Sequence, residues 1–145
     1  MRARRRFQVD RDFDRVFVVC DCAGESLAEA QRLAAVRLKN ASGNMLSIEL
    51  IVSRPCFEYW MLLHFEYNAR PFRNADEVIG ILRRHVTDYD KADRRIFEKV
   101  ASGLDRARAN VTSLQAELAA TQSQSPNTDM SVLVAALDGL RREEH

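Results

Sequence analysis

The sequence predicts a small α/β domain, with a small parallel sheet built on a βαβ unit and followed by C-terminal helices. Its 145 residues, 46% hydrophobic and 30% charged, suit one globular core. Two short apolar runs, at 16–20 and 46–52, flank a helical pattern. Beyond residue 75, apolar residues recur every three or four positions, which is typical of helices. We expect residues 1–13 to form a flexible basic arm and 14–145 to form the single domain.

The charge and composition exclude several classes of protein. The formal net charge is +1, so no overall field favours nucleic acid or a membrane surface. The dense basic patch lies in the arm, at Arg2, Arg4, Arg5 and Arg6. No apolar run approaches the ~20 residues that span a bilayer, and the charged start lacks the apolar core of a signal peptide. Because three cysteines do not suit a disulfide framework, we expect a cytoplasmic protein without membrane contacts.

The first half is predicted to fold as strand, helix, strand. The apolar run at 16–20 is typical of a strand. Ser26 begins an S-x-x-E sequence, the pattern of a capping box, which predicts a helix over 27–38. After a turn at 40–44, apolar and polar residues alternate over 46–52, as in a second strand. A helical crossover of this kind joins parallel strands, and ligands collect at the carboxyl ends of such strands.

Candidate site residues follow both predicted strands. Asp21 follows the first, and Ser53 with Arg54 follows the second. Pro55 suits the first turn of a helix, and the next residues are apolar nearly all round, so this helix is predicted to be buried. Its N–H groups, with Ser53 and Arg54, predict a phosphate or nucleic-acid contact, the alternative being an exposed Arg54 in a loop. Glu58, in its first turns, either faces the Asp21 site or interacts with the helix dipole.

The second half is predicted to be helical. An amphipathic spacing is shared by Val78, Ile79, Leu82 and Val86. A longer stripe, here named the apolar seam, consists of Phe97, Val100, Leu104, Ala107, Val111, Leu114 and Leu118. The seam predicts one long helix or a helix pair broken at Ser102–Gly103, and packing within the domain explains it better than a dimer stripe does. Residues 121–127 are expected to be a linker, with Thr128 as the cap of a last helix.

The charged stretch at 83–99 mixes acids with bases, which is typical of a solvated face with ion pairs. Tyr89 and Lys91 differ from the rest of this stretch. They lie in a short link between predicted helices, and loops commonly carry binding and catalytic residues. We therefore include both among the candidate site residues.

Asp21 is the candidate metal ligand. A carboxylate at a strand end suits magnesium, but Ala23 stands where a D-x-D pair would have its second acid. The nearest other acids are Glu25, Asp10, Asp12 and Asp14. From the residues alone, Asp21 is either a magnesium ligand or, more commonly, a turn residue. Zinc is disfavoured because C-x-C is the wrong spacing and a fourth ligand is missing. The residues in question are Cys20, Cys22 and Cys56, with His64 and His85.

Residues 53–65, Ser-Arg-Pro-Cys-Phe-Glu-Tyr-Trp-Met-Leu-Leu-His-Phe, resemble the S-N-P-x-F-E-x-W-x-L-L-H-F signature of RloB-like proteins. That family is associated with bacterial restriction and abortive-infection loci. Residues 16–21 resemble its V-F-V-V-F-D-x-D strand, Tyr89-x-Lys91 resembles its Y-x-K pair, and the segment 126–137 is similar as well. The resemblance covers residues 14–140.

The resemblance implies a Toprim-like fold, in which a first-strand glutamate and a D-x-D pair hold magnesium for phosphodiester chemistry. Asp21 corresponds to the first aspartate of the pair and is the implied metal ligand. Glu58 corresponds to the signature glutamate. The implied catalytic residues are Asp21, Glu58 and Lys91. The implied phosphate- or nucleic-acid-binding residues are Ser53, Arg54, Tyr89 and Lys91.

Three departures from the family pattern weaken the implied metal site. Ala23 replaces the second aspartate, Arg54 replaces asparagine, and no E-G-x-x-T-E segment supplies the first-strand glutamate, so we expect a domain truncated at its N-terminus. Magnesium is then expected to bind weakly or not at all. The implied function is that of a degenerate or truncated RloB-like protein with a binding or regulatory role in phage defence. The alternative is an active magnesium-dependent nuclease whose missing carboxylates come from Glu25, the arm or a partner.

The expected partners depend on the same resemblance. A missing first strand would expose a sheet edge, which another chain could cover. We therefore expect a homodimer or a complex with a partner protein of the defence locus, with nucleic acid as a further partner. A third class of function, a plain oligomerisation module built on the apolar seam, also stays open.

Overall fold

In a computed structural model of the chain, residues 13–21 and 24–143 are described, with 24–26 described by their backbone alone. Apart from Phe13, the arm expected at 1–13 lies outside the described residues. The pair Cys22–Ala23 lies outside them as well. No helix in the described part is long and apolar enough to cross a membrane.

The described part of the chain forms five strands and six α-helices. In chain order these are β1 (Val16–Asp21), α1 (Gly24–Ala35), β2 (Leu38–Lys39), β3 (Met45–Leu46), β4 (Ile48–Arg54), α2 (Glu58–Leu62), α3 (Ala75–His85), α4 (Ile96–Val100), α5 (Leu104–Thr121), β5 (Asn127–Thr128) and α6 (Met130–Glu143). The 3₁₀ turn Ala101–Gly103 lies between α4 and α5. The predicted α/β class, with helices in the C-terminal half, is confirmed.

Strands β1 and β4 lie parallel and adjacent, with α1 in the connection between them. Val16 is opposite Ile48 at one end of the pair, and Asp21 is opposite Ser53 at the other. This register confirms the predicted βαβ unit. It also brings the two predicted carboxyl ends to the same edge of the sheet, where parallel sheets place ligands.

The boundaries predicted for α1 are wrong at both ends. The helix begins at Gly24 instead of Leu27, so Ser26 lies inside it and is not its cap. It ends at Ala35 because β2 pairs antiparallel with β3 in a short hairpin, which uses the backbone groups that a longer helix would need. Buried Asn40 closes this hairpin, since its side chain accepts a hydrogen bond from the Asn44 N–H and donates one to the Phe13 carbonyl.

The sheet is mixed, whereas the sequence predicts a parallel one. Strand β5 joins the free side of β4 in the antiparallel direction, giving the order β1-β4-β5. The Ser53 and Thr128 hydroxyls are hydrogen-bonded at 2.8 Å in this pairing, and Asp129 bonds the Val52 N–H through its carboxylate. The predicted linker therefore ends in a strand. Thr128 also accepts a hydrogen bond from the Met130 N–H at the start of α6, which agrees with its predicted capping role.

Helix α2 is buried along its whole length, as predicted, but it is short and begins at Glu58, not Pro55. The Phe57 N–H donates to an Asp21 carboxylate oxygen at 2.8 Å, so the chain between Pro55 and Phe57 is directed toward β1 before the helix starts. Trp60 is 4% exposed and lies in the main core with residues of α3, α5 and α6. Its predicted burial is confirmed.

The predicted break in the second half is confirmed, since the 3₁₀ turn separates α4 from α5. Gly103 lies so close to the α2 region that a Cβ there would be 2.3 Å from the His64 carbonyl oxygen. Most of the apolar seam is buried within the domain, which confirms packing as its main role. Phe97 is the exception, with 64% of its surface exposed.

Candidate functional site

Asp21 lies at the end of β1, on the solvent-exposed edge of the sheet. One of its carboxylate oxygens accepts the hydrogen bond from the Phe57 N–H. The first N–H groups of a helix have no partner within the helix, so a carboxylate near its start is stabilising. This contact ties β1 to the start of α2.

Glu58 is 5% exposed and is hydrogen-bonded on several sides. Its Oε1 accepts from the Tyr89 hydroxyl at 2.8 Å and lies 3.4 Å from Lys91 Nζ. The Cys56 thiol lies close enough to the Glu58 carboxylate to affect its pKa. The Y-x-K pair therefore contacts the signature glutamate directly.

These contacts keep Glu58 ionised. Burial by itself raises the pKa of the Glu58 carboxyl, but hydrogen bonds from Tyr89, from its own backbone and from Cys56, together with the Lys91 charge, leave its pKa below the ordinary value. Burial, and then the neighbouring carboxylate, raises the pKa of the Cys56 thiol to about 12. Burial and the hydrogen bond to Glu58 likewise raise the pKa of the Tyr89 hydroxyl. At neutral pH the cluster thus contains one carboxylate anion with neutral thiol and phenol donors.

A cavity of 490 Å³ is bordered by four of the predicted site residues, and we name it the Asp21 cavity. These four are Asp21, Glu58, Tyr89 and Lys91. The structure therefore brings together residues from β1, from α2 and from the link after α3. The sequence predicts a solvated face for the charged residues of 83–99 and packing within the domain for Phe97, yet several residues at 90–97 border the same cavity. These are Asp90, Ala92, Asp93, Arg94, Ile96 and Phe97.

The charges around the Asp21 cavity are mostly negative. Its lining contains four acids and two bases. The acids are Asp21, Glu58, Asp90 and Asp93, and the bases are Lys91 and Arg94. Asp93 also pairs with Lys99 at 2.6 Å, so the predicted ion pairs of this stretch are present as well. The cavity residues that were not predicted could have been found by their proximity in sequence to the Y-x-K pair, because Asp90 is its middle residue.

The structure separates Ser53 and Arg54 from the Asp21 cavity. Ser53 has 0% exposure, and its hydroxyl is hydrogen-bonded to Thr128. Arg54 borders a second cavity of 510 Å³, named here the Arg54 cavity. The other residues that line it are Gln31, Gln115, Leu118, Ala119, Ser123, Gln124 and Asn127.

As they are arranged, the side chains around Asp21 and Glu58 do not suit the binding of a magnesium ion. Protein hydrogen-bond donors contact both carboxylates, and Lys91 supplies a positive charge beside Glu58. Among residues 13–21 and 24–143, no three His, Cys, Asp or Glu side chains are grouped in a way that could hold a metal. Weak magnesium binding stays a prediction, and the Glu25 side chain and the arm acids Asp10 and Asp12 lie outside the described part.

The two histidines considered for zinc have other partners. His64 is buried, and its Nδ1 donates to the Trp60 carbonyl at 2.9 Å. His85 bonds the Glu66 carboxylate at 2.8 Å and stacks on Phe65. Burial lowers the pKa of His64, so its ring is neutral at neutral pH. Both rings therefore have structural contacts of their own.

The fold and the site define an α/β protein with a carboxylate-lined cavity at the carboxyl end of β1. The sequence model of the RloB-like protein family matches residues 1–137. Since this match covers most of the chain, the chain belongs to the RloB-like protein family, and the resemblance seen at residues 53–65 is confirmed. No curated protein and no solved structure matches the chain.

Proposed function

We propose that this RloB-like chain acts in phage defence as a binding or regulatory component, as a degenerate Toprim-like domain and not as a self-sufficient nuclease. One observation carries the proposal. The two carboxylates that correspond to the family's site, Asp21 and Glu58, serve as hydrogen-bond acceptors for the protein itself. They hold β1, α2 and the link after α3 together.

The energy of these contacts supports a structural role for both carboxylates. Magnesium requires near-octahedral oxygen ligands at about 2.0–2.1 Å. Binding it through Glu58 Oε1 would exchange the Tyr89 hydrogen bond and the Lys91 ion pair for the metal. A hydrogen bond to a charged group is worth about 1.5–3 kcal/mol, so this exchange is costly without further carboxylates.

The test is cleavage of single- and double-stranded DNA and RNA with magnesium or manganese. We expect no appreciable cleavage by the intact chain. Asp21→Asn keeps an acceptor for the Phe57 N–H, whereas Asp21→Ala loses it and should lower the free energy of unfolding by about 0.5–2 kcal/mol. Metal-dependent cleavage that both variants abolish would overturn the proposal, whereas cleavage that survives both would indicate a contaminant or another site.

A second candidate function is the metal-dependent Toprim-type nuclease. The observation that favours it is the presence of four acids around one cavity at the end of β1. In this version Glu25, an arm acid or a partner subunit supplies the missing carboxylates. Asp90→Asn, inside the cavity, should then lower cleavage, while Asp76→Asn in the first turn of α3 should not. Equal effects of the two variants would contradict the nuclease.

A homodimer or a protein of the defence locus is the partner that we propose for the binding role. Val19 on the outer strand β1 is about half exposed, and Phe97 is exposed beside the Asp21 cavity. Apolar side chains at an outer strand and at a cavity rim are typical of surfaces that another chain covers. The excess of acids around the Asp21 cavity argues against a nucleic-acid phosphate at that position.

A further inference from the structure

Arg54 occupies an unusual position at the end of β4. Its side chain is half-buried and borders the Arg54 cavity, where none of the described lining residues carries a carboxylate. No ion pair or hydrogen bond joins the Arg54 side chain to another residue of the described part of the chain. Arg108, which is half-buried as well, is paired with Asp138. Because a guanidinium that loses water without a partner is costly, this position favours an anion from outside.

The other polar groups of the Arg54 cavity are carboxamides and a hydroxyl. Gln115 Nε2 donates to Asn127 Oδ1 at 2.8 Å, and the same oxygen accepts from the Thr128 N–H at 2.8 Å. These bonds use the oxygen of Asn127 and one donor of Gln115. Within the described part of the chain, they leave the Asn127 amide nitrogen as a donor and the Gln115 oxygen as an acceptor.

The backbone places these groups rigidly. Arg54 and Asn127 are directly opposite each other in the β4–β5 pairing. Gln31 comes from α1 and Gln115 from α5, so regular elements border the cavity on two further sides. Binding groups on strands and helices lose less conformational freedom on binding than groups on loops, which favours affinity.

From this arrangement we propose that the Arg54 cavity binds a phosphate-bearing ligand of nucleotide size. The guanidinium matches two phosphate oxygens with parallel hydrogen bonds, and the amide nitrogen of Asn127 supplies a further donor. The carboxamides of Gln31, Gln115 and Gln124 suit the mixed donor and acceptor edge of a base. The volume of 510 Å³ lies within the range of small-molecule pockets.

The Arg54 cavity differs from the Asp21 cavity in its charge. Counted over the described residues, the lining of the Arg54 cavity has one base and no acid, whereas that of the Asp21 cavity has two more acids than bases. A dianionic phosphate is attracted to the first and repelled from the second. The inference therefore does not depend on the proposed function, and it holds whether or not the chain cleaves nucleic acid.

The test is calorimetric titration of the full chain with three probes: inorganic phosphate, adenosine monophosphate and a short single-stranded oligonucleotide. We expect Arg54→Gln to weaken phosphate and nucleotide binding roughly tenfold or more, the equivalent of one charge-assisted hydrogen bond. Arg54→Lys keeps the positive charge but not the paired N–H groups of the guanidinium. Its affinity should therefore lie between those of the parent chain and Arg54→Gln. Arg37→Gln is the control, because it removes the same charge from an exposed residue outside the cavity.

The probes also distinguish the sources of the phosphate. A base contact is supported if the nucleotide binds more tightly than phosphate, and if Gln115→Met removes this difference without weakening phosphate binding. Tighter binding of the oligonucleotide than of the nucleotide supports a nucleic acid as the source. Melting temperatures near that of the parent chain would show that the variants fold. The absence of binding for every probe, or equal weakening by Arg54→Gln and Arg37→Gln, would overturn the proposal.

Discussion

Replacing Tyr89 with phenylalanine removes the hydroxyl that donates to Glu58 and keeps the ring. The two oxygens are 2.8 Å apart, and Glu58 is 5% exposed, so water cannot readily replace the lost donor. A hydrogen bond to a charged group contributes about 1.5–3 kcal/mol. We therefore expect Tyr89→Phe to lower the free energy of unfolding by about 1.5–3 kcal/mol, since Lys91 and Cys56 remain as partners and limit the loss.

The chain contains a matched control for this change. Tyr67 also donates to a carboxylate, that of Glu117, but Tyr67 is 43% exposed and water can take the place of its hydroxyl. Tyr67→Phe should therefore cost less than about 1 kcal/mol. Urea denaturation followed by fluorescence measures both variants, because the single tryptophan, Trp60, lies in the core and reports unfolding.

The pH dependence of the Tyr89→Phe effect supplies a second measurement. The pKa of Glu58 in the folded chain lies below its ordinary value of 4.5, although burial by itself raises it, because hydrogen bonds from Tyr89 and others outweigh burial. A carboxyl with a lowered folded pKa contributes stability that is present above its unfolded pKa and is lost as pH falls through the folded pKa. The difference between the parent chain and the variant should thus be constant well above pH 4.5 and shrink below it.

Two results would refute this reasoning. Equal losses of unfolding free energy in Tyr89→Phe and Tyr67→Phe would mean that the burial of Glu58 does not strengthen its hydrogen bond. A cost that does not change as the pH falls below 4.5 would mean that the ionised carboxylate is not the acceptor that matters.

Three further predictions concern the core, the helix break and assembly. Trp60→Ala should cost about 3–5 kcal/mol of unfolding free energy, and an unchanged melting temperature would contradict its place in the core. Gly103→Ala should cost about 1–3 kcal/mol, because its Cβ would press on the His64 backbone. Gly80→Ala, in open space on α3, should stabilise by about 0.5–1 kcal/mol, so equal effects at the two glycines would refute the close approach. Light scattering at micromolar concentration should give a dimer, and a monomer of 16.6 kDa without a recovered partner would contradict the proposed assembly.

The parts of the fold that the sequence predicts correctly are those with a local periodic signal. The apolar run of β1, the alternation in β4, the apolar surface of α2 and the three-and-four spacing of the seam are each contained within a short stretch of sequence. The break at Ser102–Gly103 was predictable because glycine weakens a helix locally. The motif at 53–65 identified the family, and it pointed to Glu58 before any contact was known.

The tertiary structure alone decided how distant segments meet. Strand β5 has two residues and no period, so only its pairing with Ser53 and Arg54 reveals it. The contact between Glu58 and Tyr89 joins residues 31 positions apart, which no local pattern encodes. Neighbouring residues on a strand point to opposite faces, and for this reason Ser53 is buried against Thr128 while Arg54 borders a separate cavity. The residue types were thus readable from the sequence, but their division between two cavities of opposite charge depended on the packing of the strands and helices.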